Sequence, residues 1–358
     1  MTKKIIHCAD IHFDSVMSGI KDPKKVNIRR EEMKKTFQKI IALAAESDML
    51  LISGDLFDAK KVSKSTLEFL KGEFLKISDV SVFIIAGNHD YLGEMSVYKT
   101  FDFGKNVHIF GTSMECVELA DCDVYGISFK TANDEREMLS GFTVKNPDKI
   151  NICLMHGNLS GNDYNPIKIS DIEKSGIDYL ALGHIHKASE IKKAGSTHYA
   201  YCGCPEGRGN DETGKKGVYK LELIKGNIVA SEFVPVAERM YIDEDVDISG
   251  AGSYDEIIEK IMTKYKGEKH LYRFTLTGSC DFSIDTEVIE ERIKAFSLTI
   301  RDKTTPCVDL SELAKEFSLK GLFARFALEN KNDLTEEEFN AAIKSGLYYI
   351  EKEENNEN

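Results

Sequence analysis

Met49-Leu50-Leu51-Ile52-Ser53-Gly54-Asp55-Leu56-Phe57-Asp58 couples a short apolar run to a Ser-Gly break and two carboxylates. A run this short, partly β-branched and closed by Gly and Asp, reads as a buried strand ending in a loop rather than as a helix. The same pattern recurs four more times within the first 186 residues. Ile5-Ile6 leads to Asp10-Ile11-His12, and Val82-Phe83-Ile84-Ile85 to Gly87-Asn88-His89-Asp90. The run from Ile150 to Met155 leads to His156-Gly157, and Tyr179-Leu180-Ala181-Leu182 to Gly183-His184-Ile185-His186. Strand ends of this kind are where an α/β sheet presents its chemistry, so five of them can converge on one point.

Between these strands lie helical patterns. Residues 26–45 place Ile28, Met33, Phe37, Ile40, Ile41 and Ala44 on one side, and residues 64–77 predict a second helix. Strand, helix, strand, helix, strand begins an α/β layer. Short strands follow at 107–110 and 123–128, then 199–202, 218–224 and 228–234, the last two joined by the hairpin signal Lys225-Gly226-Asn227. The economical arrangement is an α/β (α+β) fold in which two central sheets are sandwiched by helices over residues 1–236. A small α/β domain is expected at 237–305, with strands at 240–248, 271–277 and 297–300 and helices at 254–265 and 285–295. Residues 306–358 read as a helical C-terminal segment with helices at 310–317 and 319–328. Its last helix opens with a capping box at Thr335-Glu336-Glu337-Glu338 and carries an apolar stripe of Phe339, Ile343, Leu347 and Ile350. The stripe serves either internal packing or a partner. Only the last eight residues read as disordered.

The chain has 358 residues and a formal net charge of −13, which excludes a protein that coats nucleic acid by bulk charge but not one with a local basic groove. Residues 331–358 hold eight acidic and three basic side chains, whereas residues 21–39, from Lys21 to Lys39, hold eight basic and three acidic. Within that run Lys24, Lys25, Arg29 and Arg30 are the candidates for phosphate contacts, with a solvated helix face as the alternative. Eight cysteines follow no metal-finger or redox C-x-x-C spacing. Reduced thiols and the absence of a signal-peptide pattern lead us to expect a cytoplasmic protein. No apolar stretch approaches the roughly 20 residues of a spanning helix, so no membrane role is expected.

The side chains at the five strand ends suit a pair of divalent ions. Two such ions about 4 Å apart need a shared anionic bridge and open positions for water and a phosphate. Asp55 is the natural bridge. Asp10 and His12, two apart in an extended loop, point the same way and can grip one ion. His184 and His186 repeat that spacing, His156 adds an imidazole, and Asn88 adds a neutral amide oxygen. Oxygen and imidazole ligands without thiolate suit Mn²⁺, Fe²⁺ or Zn²⁺. His89, next to Asn88, should face substrate as general acid or oxyanion stabiliser. Asp90 is expected to orient a neighbouring histidine, and Asp58 to cap the following helix. His7, His108, His198 and His270 receive no role.

The ordered set D-x-H, G-D-x-x-D, G-N-H-D, H-G, G-H-x-H resembles the calcineurin-like metallophosphoesterase superfamily over residues 1–235. Gly183-His184-Ile185-His186-Lys187-Ala188, Tyr201-Cys202-Gly203-Cys204-Pro205-Glu206 and Gly214-Lys215-Lys216-Gly217 are similar to the SbcD-type DNA repair exonuclease branch with its YhaO-like members. Cys202 and Cys204 stand where that branch usually has Pro and Ser. The resemblance implies a two-sheet αββα sandwich. It places Asp10, His12, Asp55 and His186 on one ion, Asp55, Asn88, His156 and His184 on the other, and His89 as the catalytic histidine. It further implies two manganese ions, 3′ to 5′ exonuclease and endonuclease activity on DNA, a DNA-contacting capping domain, and an SbcC-like coiled-coil ATPase partner docked on the C-terminal helices. A homodimer is compatible with the sequence. Two alternatives remain: hydrolysis of a small phosphoester or cyclic nucleotide, and a mainly structural subunit of such an ATPase.

Overall fold

In a computed structural model the chain divides into two compact units, Met1–Met240 and Tyr241–Asn358. The structure describes residues 2–17, 20, 22–58, 62–161, 163–280, 282, 284–306 and 308–356.

The first unit begins β1 (Lys3–Cys8), α1 (Pro23–Ala44), β2 (Met49–Ser53), α2 (Lys64–Lys76), β3 (Ser81–Ile85), α3 (Val97–Thr100) and β4 (Val107–Ile109). It continues with β5 (Glu115–Glu118), β6 (Cys122–Gly126), β7 (Ile150–His156), α4 (Ile169–Lys174), β8 (Tyr179–Gly183), β9 (Lys192–Ala194), β10 (Thr197–Tyr201), β11 (Gly217–Ile224) and β12 (Asn227–Pro235). One six-stranded sheet runs β12-β11-β1-β2-β3-β4 and the other β5-β6-β7-β8-β10-β9. β1 to β4 are mutually parallel, as are β6, β7, β8 and β10, while β11, β12, β5 and β9 add antiparallel edges.

Strand alternation builds three apolar layers. Ile5, Leu51, Phe83 and Ile85 face Val124, Ile152, Leu154 and Ala181 between the sheets. Their neighbours Ile6, Leu50, Ile52 and Ile84 face Phe37, Ile40 and Phe74 of α1 and α2. On the far side Cys153, Met155, Leu180 and Leu182 pack with Ile172 of α4 and Met138. Phe37 and Ile40 are fully buried, each stabilising the layer by ~1.5–3 kcal/mol. This is the expected αββα sandwich. α1 starts three residues before the predicted helix because Asp22 caps it, its side chain accepting from the Lys24 amide.

The second unit contains β13 (Tyr241–Asp247), α5 (Tyr254–Met262), β14 (Leu271–Thr277), β15 (Ser279–Cys280), α6 (Thr286–Arg292), β16 (Ser297–Asp302), β17 (Thr305–Pro306), α7 (Leu310–Leu313), α8 (Leu319–Glu329) and α9 (Glu336–Asn356). β13, β14 and β16 form a parallel sheet. The predicted helix at 310–317 is only the four residues of α7. Ser318 ends it by capping α8 through the Gly321 amide, and Arg325 binds the freed carbonyls of Ala314 and Glu316 at 2.6 and 3.2 Å. The capping box at the start of α9 is present, Thr335 and Glu338 exchanging bonds of 2.9 and 3.3 Å. α9 runs to Asn356 where disorder was expected, because each further residue adds one backbone bond once a helix is nucleated; residues 357–358 lie outside the described residues. Phe339 and Ile343 of its stripe are buried, and the Phe323 ring of α8 lies where a Cβ on Gly346 would stand, so the stripe packs internally. α8 instead exposes Leu319, Leu322 and Phe326 by 58, 58 and 65%. Among the described residues no helix is long and apolar enough to cross a membrane.

Candidate metal centre

The five loops of the sequence pattern meet at the ends of β1, β2, β3, β7 and β8. The β1 and β2 loops run side by side, the Asp10 amide donating to the Gly54 carbonyl at 3.1 Å and the His12 amide to the Asp55 carbonyl at 2.9 Å. Asp10, His12, Asp55 and His184 hold positive φ angles of 53°, 55°, 52° and 101°. Left-handed backbone at a non-glycine residue costs ~1–3 kcal/mol and persists where surroundings over-determine it; here it aims donor atoms inward. Glycine serves close approach as well as turning: a Cβ on Gly87 would lie 2.3 Å from the Asp55 carboxylate, and one on Gly183 1.9 Å from the Ser53 carbonyl.

All seven expected ligands are brought together. Oδ2 of Asp55 lies 3.6 Å from Nε2 of His12 and 3.4 Å from Nε2 of His156. Nε2 of His186 is 3.3 Å from Nε2 of His12 and 3.9 Å from Asp10. On the other side Oδ1 of Asn88 is 3.0 Å from Nε2 of His156 and 3.3 Å from Nδ1 of His184. Asp55 is thus shared between two groups.

Hydrogen bonding shows why a cation fits. Nδ1 of His156 donates to the Ser53 carbonyl at 3.0 Å, Nδ1 of His12 to Asp58 at 3.1 Å, and Nδ1 of His186 to Glu212 at 2.7 Å. In its neutral form each ring then turns a bare Nε2 lone pair inward. Two such lone pairs 3.3 Å apart, beside the Asp55 and Asp10 carboxylates, repel unless a positive charge lies among them. A proton on His156 meets the same demand: burial lowers its pKa, yet the charge of Asp55, the hydrogen bond to it and the charge of Asp10 override this and hold the group up at about 9. Burial, followed by the charge of His156, pushes His184 down to about 4. Asp10, Asp55 and His156 form one metal-competent trio, and Asp10, His12 and His186 another.

The carboxylates that orient these rings differ from expectation. Asp90 touches no histidine. Its Oδ1 accepts from the Gly87 amide at 2.7 Å, and its Oδ2 accepts from the Leu56 and Phe57 amides at 2.8 and 3.2 Å and from the Tyr98 hydroxyl at 2.6 Å. It ties the Asp55 loop to the Asn88 loop through backbone. Burial, then the charge of Asp55, raises it to about 6. The orienting role falls to Asp58, which caps no helix, since Ser63 caps α2. Oδ1 of Asp58 receives Nδ1 of both His12 and His89, at 3.1 and 2.9 Å. That bond raises the pKa of His89, whose side chain is 43% exposed.

Two further residues were missed by the sequence reading. Glu212 accepts from His186, and Arg208 joins Glu212 at 2.9 Å to Asp58 at 3.6 Å. Their only sequence signal is an Arg-x-x-x-Glu spacing in a polar loop. Tyr164, also with positive φ, lies against the His184 ring with centroids 5.1 Å apart. Cys202 and Cys204 belong to a tight loop: Gly203 has φ 72°, and Cys204 Sγ donates to the His186 carbonyl at 3.4 Å.

The basic run at 21–39 does not form the expected phosphate surface as a whole. Arg29 is fully buried, binding Glu32 and Glu206 at 2.7 Å each and the Gly207 carbonyl at 2.8 Å. A guanidinium that completes a buried charge network cannot also reach a DNA backbone. Lys24 and Arg30 are exposed and Lys25 is half-buried, whereas Lys34 and Lys39 pair with Glu31 and Glu238; Lys21 lies outside the described residues.

Comparison with known proteins agrees with this geometry. The family model described as calcineurin-like phosphoesterase matches residues 3–188. The chain is 30% identical to the uncharacterized metallophosphoesterase YhaO of Bacillus subtilis, over 76% of this chain and 71% of that one. It is 23% identical to a subunit of the nuclease SbcCD of Staphylococcus epidermidis, over 77% and 79%. With the DNA double-strand break repair protein Mre11 of Methanopyrus kandleri it shares 24% identity over 89% and 75%. The family works with a pair of divalent metal ions, and the bare imidazole nitrogens around Asp55 are suited to receive them. The chain therefore belongs to the calcineurin-like metallophosphoesterase family and is a metal-dependent phosphoester hydrolase.

Proposed function

We propose that this protein is a phosphodiesterase that cuts DNA, acting as the nuclease subunit of a repair assembly with a coiled-coil ATPase. The observation that carries the chemistry is the convergence of six further ligands around Asp55, with inward lone pairs fixed by Nδ1 donation. Asp10, His12, Asp55 and His186 would hold one ion and Asp55, Asn88, His156 and His184 the other, with Mn²⁺ best matched to this oxygen and imidazole set and Fe²⁺ or Zn²⁺ as substitutes. When bound, the ions supply Lewis acidity to the phosphoryl oxygens and a nucleophile from water near neutral pH. His89, its Nδ1 held by Asp58, presents its other nitrogen to the leaving oxygen and gives it a proton. No serine or cysteine of the chain is needed as a nucleophile.

The DNA substrate rests on the likeness to the SbcCD nuclease and to the Mre11 repair protein. The small parallel sheet of the second unit is the proposed DNA-contacting cap, with Lys24, Lys25 and Arg30 as the remaining candidates for phosphate contacts. The exposed face of α8, Leu319, Leu322 and Phe326, is the proposed dock for the ATPase coiled coil, in place of α9. The seven described cysteines are free thiols, which supports a reducing, cytoplasmic setting. A second reading, a nucleotide or other small phosphoester as substrate, is favoured by one feature, a cavity of about 360 Å³ beside His89. Release of label from a duplex DNA end in Mn²⁺, with Asp55→Ala alongside, distinguishes them. DNA degradation by the native protein alone supports the nuclease. Hydrolysis of small diesters without DNA degradation favours the second reading.

A further inference from the structure

The cavity beside His89 is lined by Phe57, Asp90, Tyr91, Met95 and Val97 as well as by His89 itself. We propose that it is a subsite for one nucleoside, receiving the base and sugar attached to the leaving side of the scissile phosphate. The inference rests on the phosphodiesterase reading and adds to it where the nucleoside next to the scissile phosphate is held.

Position is the first argument. His89 lies within reach of the metal centre, with a ring nitrogen within 4.8 Å of ligand atoms of His12 and Asp55, and the same ring forms a wall of the cavity. A group bonded to the phosphate on the His89 side therefore enters this space. Charge is the second. The lining contains the carboxyls of Asp90 and Glu94 and neither Lys nor Arg. A second phosphate is repelled there, so the occupant is the uncharged part of the substrate. The third is surface chemistry. Phe57 is buried behind the wall, and the accessible parts, the half-buried Tyr91 ring and the exposed Met95 thioether, suit the π-face of a base and do so without sequence preference. At about 360 Å³ the cavity lies at the small end of ligand sites, which span roughly 300–1,000 Å³, enough for a nucleoside and too little for two.

The cavity is also pre-formed. The Leu92 amide donates to the Phe129 carbonyl at 2.8 Å, and Tyr98 donates to Asp90 at 2.6 Å, pinning the loop at two points. The Phe57 ring is backed by Tyr98 and Phe103, with centroids 5.5 and 6.4 Å away. Met95, 88% exposed at the rim, is free to fold onto a bound ring, and its methyl group is a natural reporter.

The test uses the full chain labelled with ¹³C at methionine methyls and titrated with adenosine, which carries no phosphate. The Met95 resonance, assigned through Met95→Ala, is expected to shift saturably, and Ser96→Trp, which fills the cavity, abolishes the shift. In parallel, Mn²⁺-loaded native protein, Met95→Ala and Ser96→Trp are assayed on a deoxydinucleotide and on methyl p-nitrophenyl phosphate, which has no nucleoside. Ser96→Trp should lower kcat/KM for the dinucleotide at least about fivefold, the lower end of what one base–aromatic stack contributes, and leave the small diester unchanged. Absence of a Met95 shift up to about 10 mM adenosine, a concentration that detects even very weak sites, overturns the proposal. So do equal losses on both substrates in Met95→Ala and Ser96→Trp. A saturable shift with hydrolysis of neither diester keeps the nucleoside site and refutes the phosphodiesterase reading instead.

Discussion

Replacing Asp58 with asparagine removes one charge and almost no volume, at the atom where two functional histidines meet. Oδ1 of Asp58 accepts from His12 at 3.1 Å and from His89 at 2.9 Å, with Arg208 3.6 Å away. An amide oxygen still accepts but carries no charge, and charge-assisted bonds are roughly twice as strong as neutral ones. Loss of such a partner typically lowers metal affinity or activity ~10–100-fold, about 1.4–2.8 kcal/mol. Through His12 the Asp58→Asn protein should bind Mn²⁺ more weakly; through His89 it should lose kcat even when Mn²⁺ is saturating. The Asp58 bond raises the pKa of His89, so its weakening lowers that pKa. The protonated form of His89 then disappears at lower pH, and the alkaline limb of the kcat profile moves toward acid. Calorimetric titration of Mn²⁺ together with kcat against pH on a small diester measures both effects separately. A kcat within twofold of native at saturating Mn²⁺, with an unmoved alkaline limb, refutes the assignment of Asp58 to His89.

Glu212 orients only His186 among the ligands, so Glu212→Gln should weaken one of two Mn²⁺ binding events in calorimetry and spare the other. The buried Arg29–Glu32–Glu206 network ties α1 to the loop after β10. Burial raises the Glu32 pKa, but hydrogen bonds from Arg239 and Arg29 outweigh it and the net shift is downward from 4.5. Its stabilisation is therefore complete above the unfolded value and lost as pH falls below about 4.5 toward the lower folded value. The urea midpoint should drop across that window less steeply in Glu32→Gln than in native protein. Truncating Arg29 to Ala leaves buried Glu206 without its cation, while Glu32 keeps Arg239, and should cost ~3–5 kcal/mol of stability by urea titration. On α8, Leu322→Glu with Phe326→Glu should leave diester hydrolysis intact and abolish co-purification with a coiled-coil ATPase; retained binding would move the dock elsewhere.

Much of this molecule is legible in its residue order. Short, continuous apolar strands closed by glycine or aspartate reveal themselves locally, and the ligands of the centre follow directly from them. Gly54, with φ 91°, and Gly183, with the Ser53 carbonyl where its Cβ would be, are legible for the same reason. What stayed hidden depends on partners far along the chain. Arg29 reads as one more surface cation until Glu206, 177 residues away, closes on it. The roles of Asp58 and Asp90 could not be told apart by spacing, since each follows a ligand, Asp55 or Asn88, by two or three residues and only the fold decides which faces imidazole and which faces backbone. The α7 helix stops short because Arg325, eleven residues on, takes the Ala314 carbonyl. The α9 stripe, open to two readings, is internal because Gly346 admits the Phe323 ring.

Anomalous scattering from crystals of the Mn²⁺-loaded protein tests the central claim most directly. Two manganese peaks about 4 Å apart are expected, bridged by Asp55, with His12 and His186 on one and His156, His184 and Asn88 on the other. A single peak, or peaks away from Asp55, would contradict it.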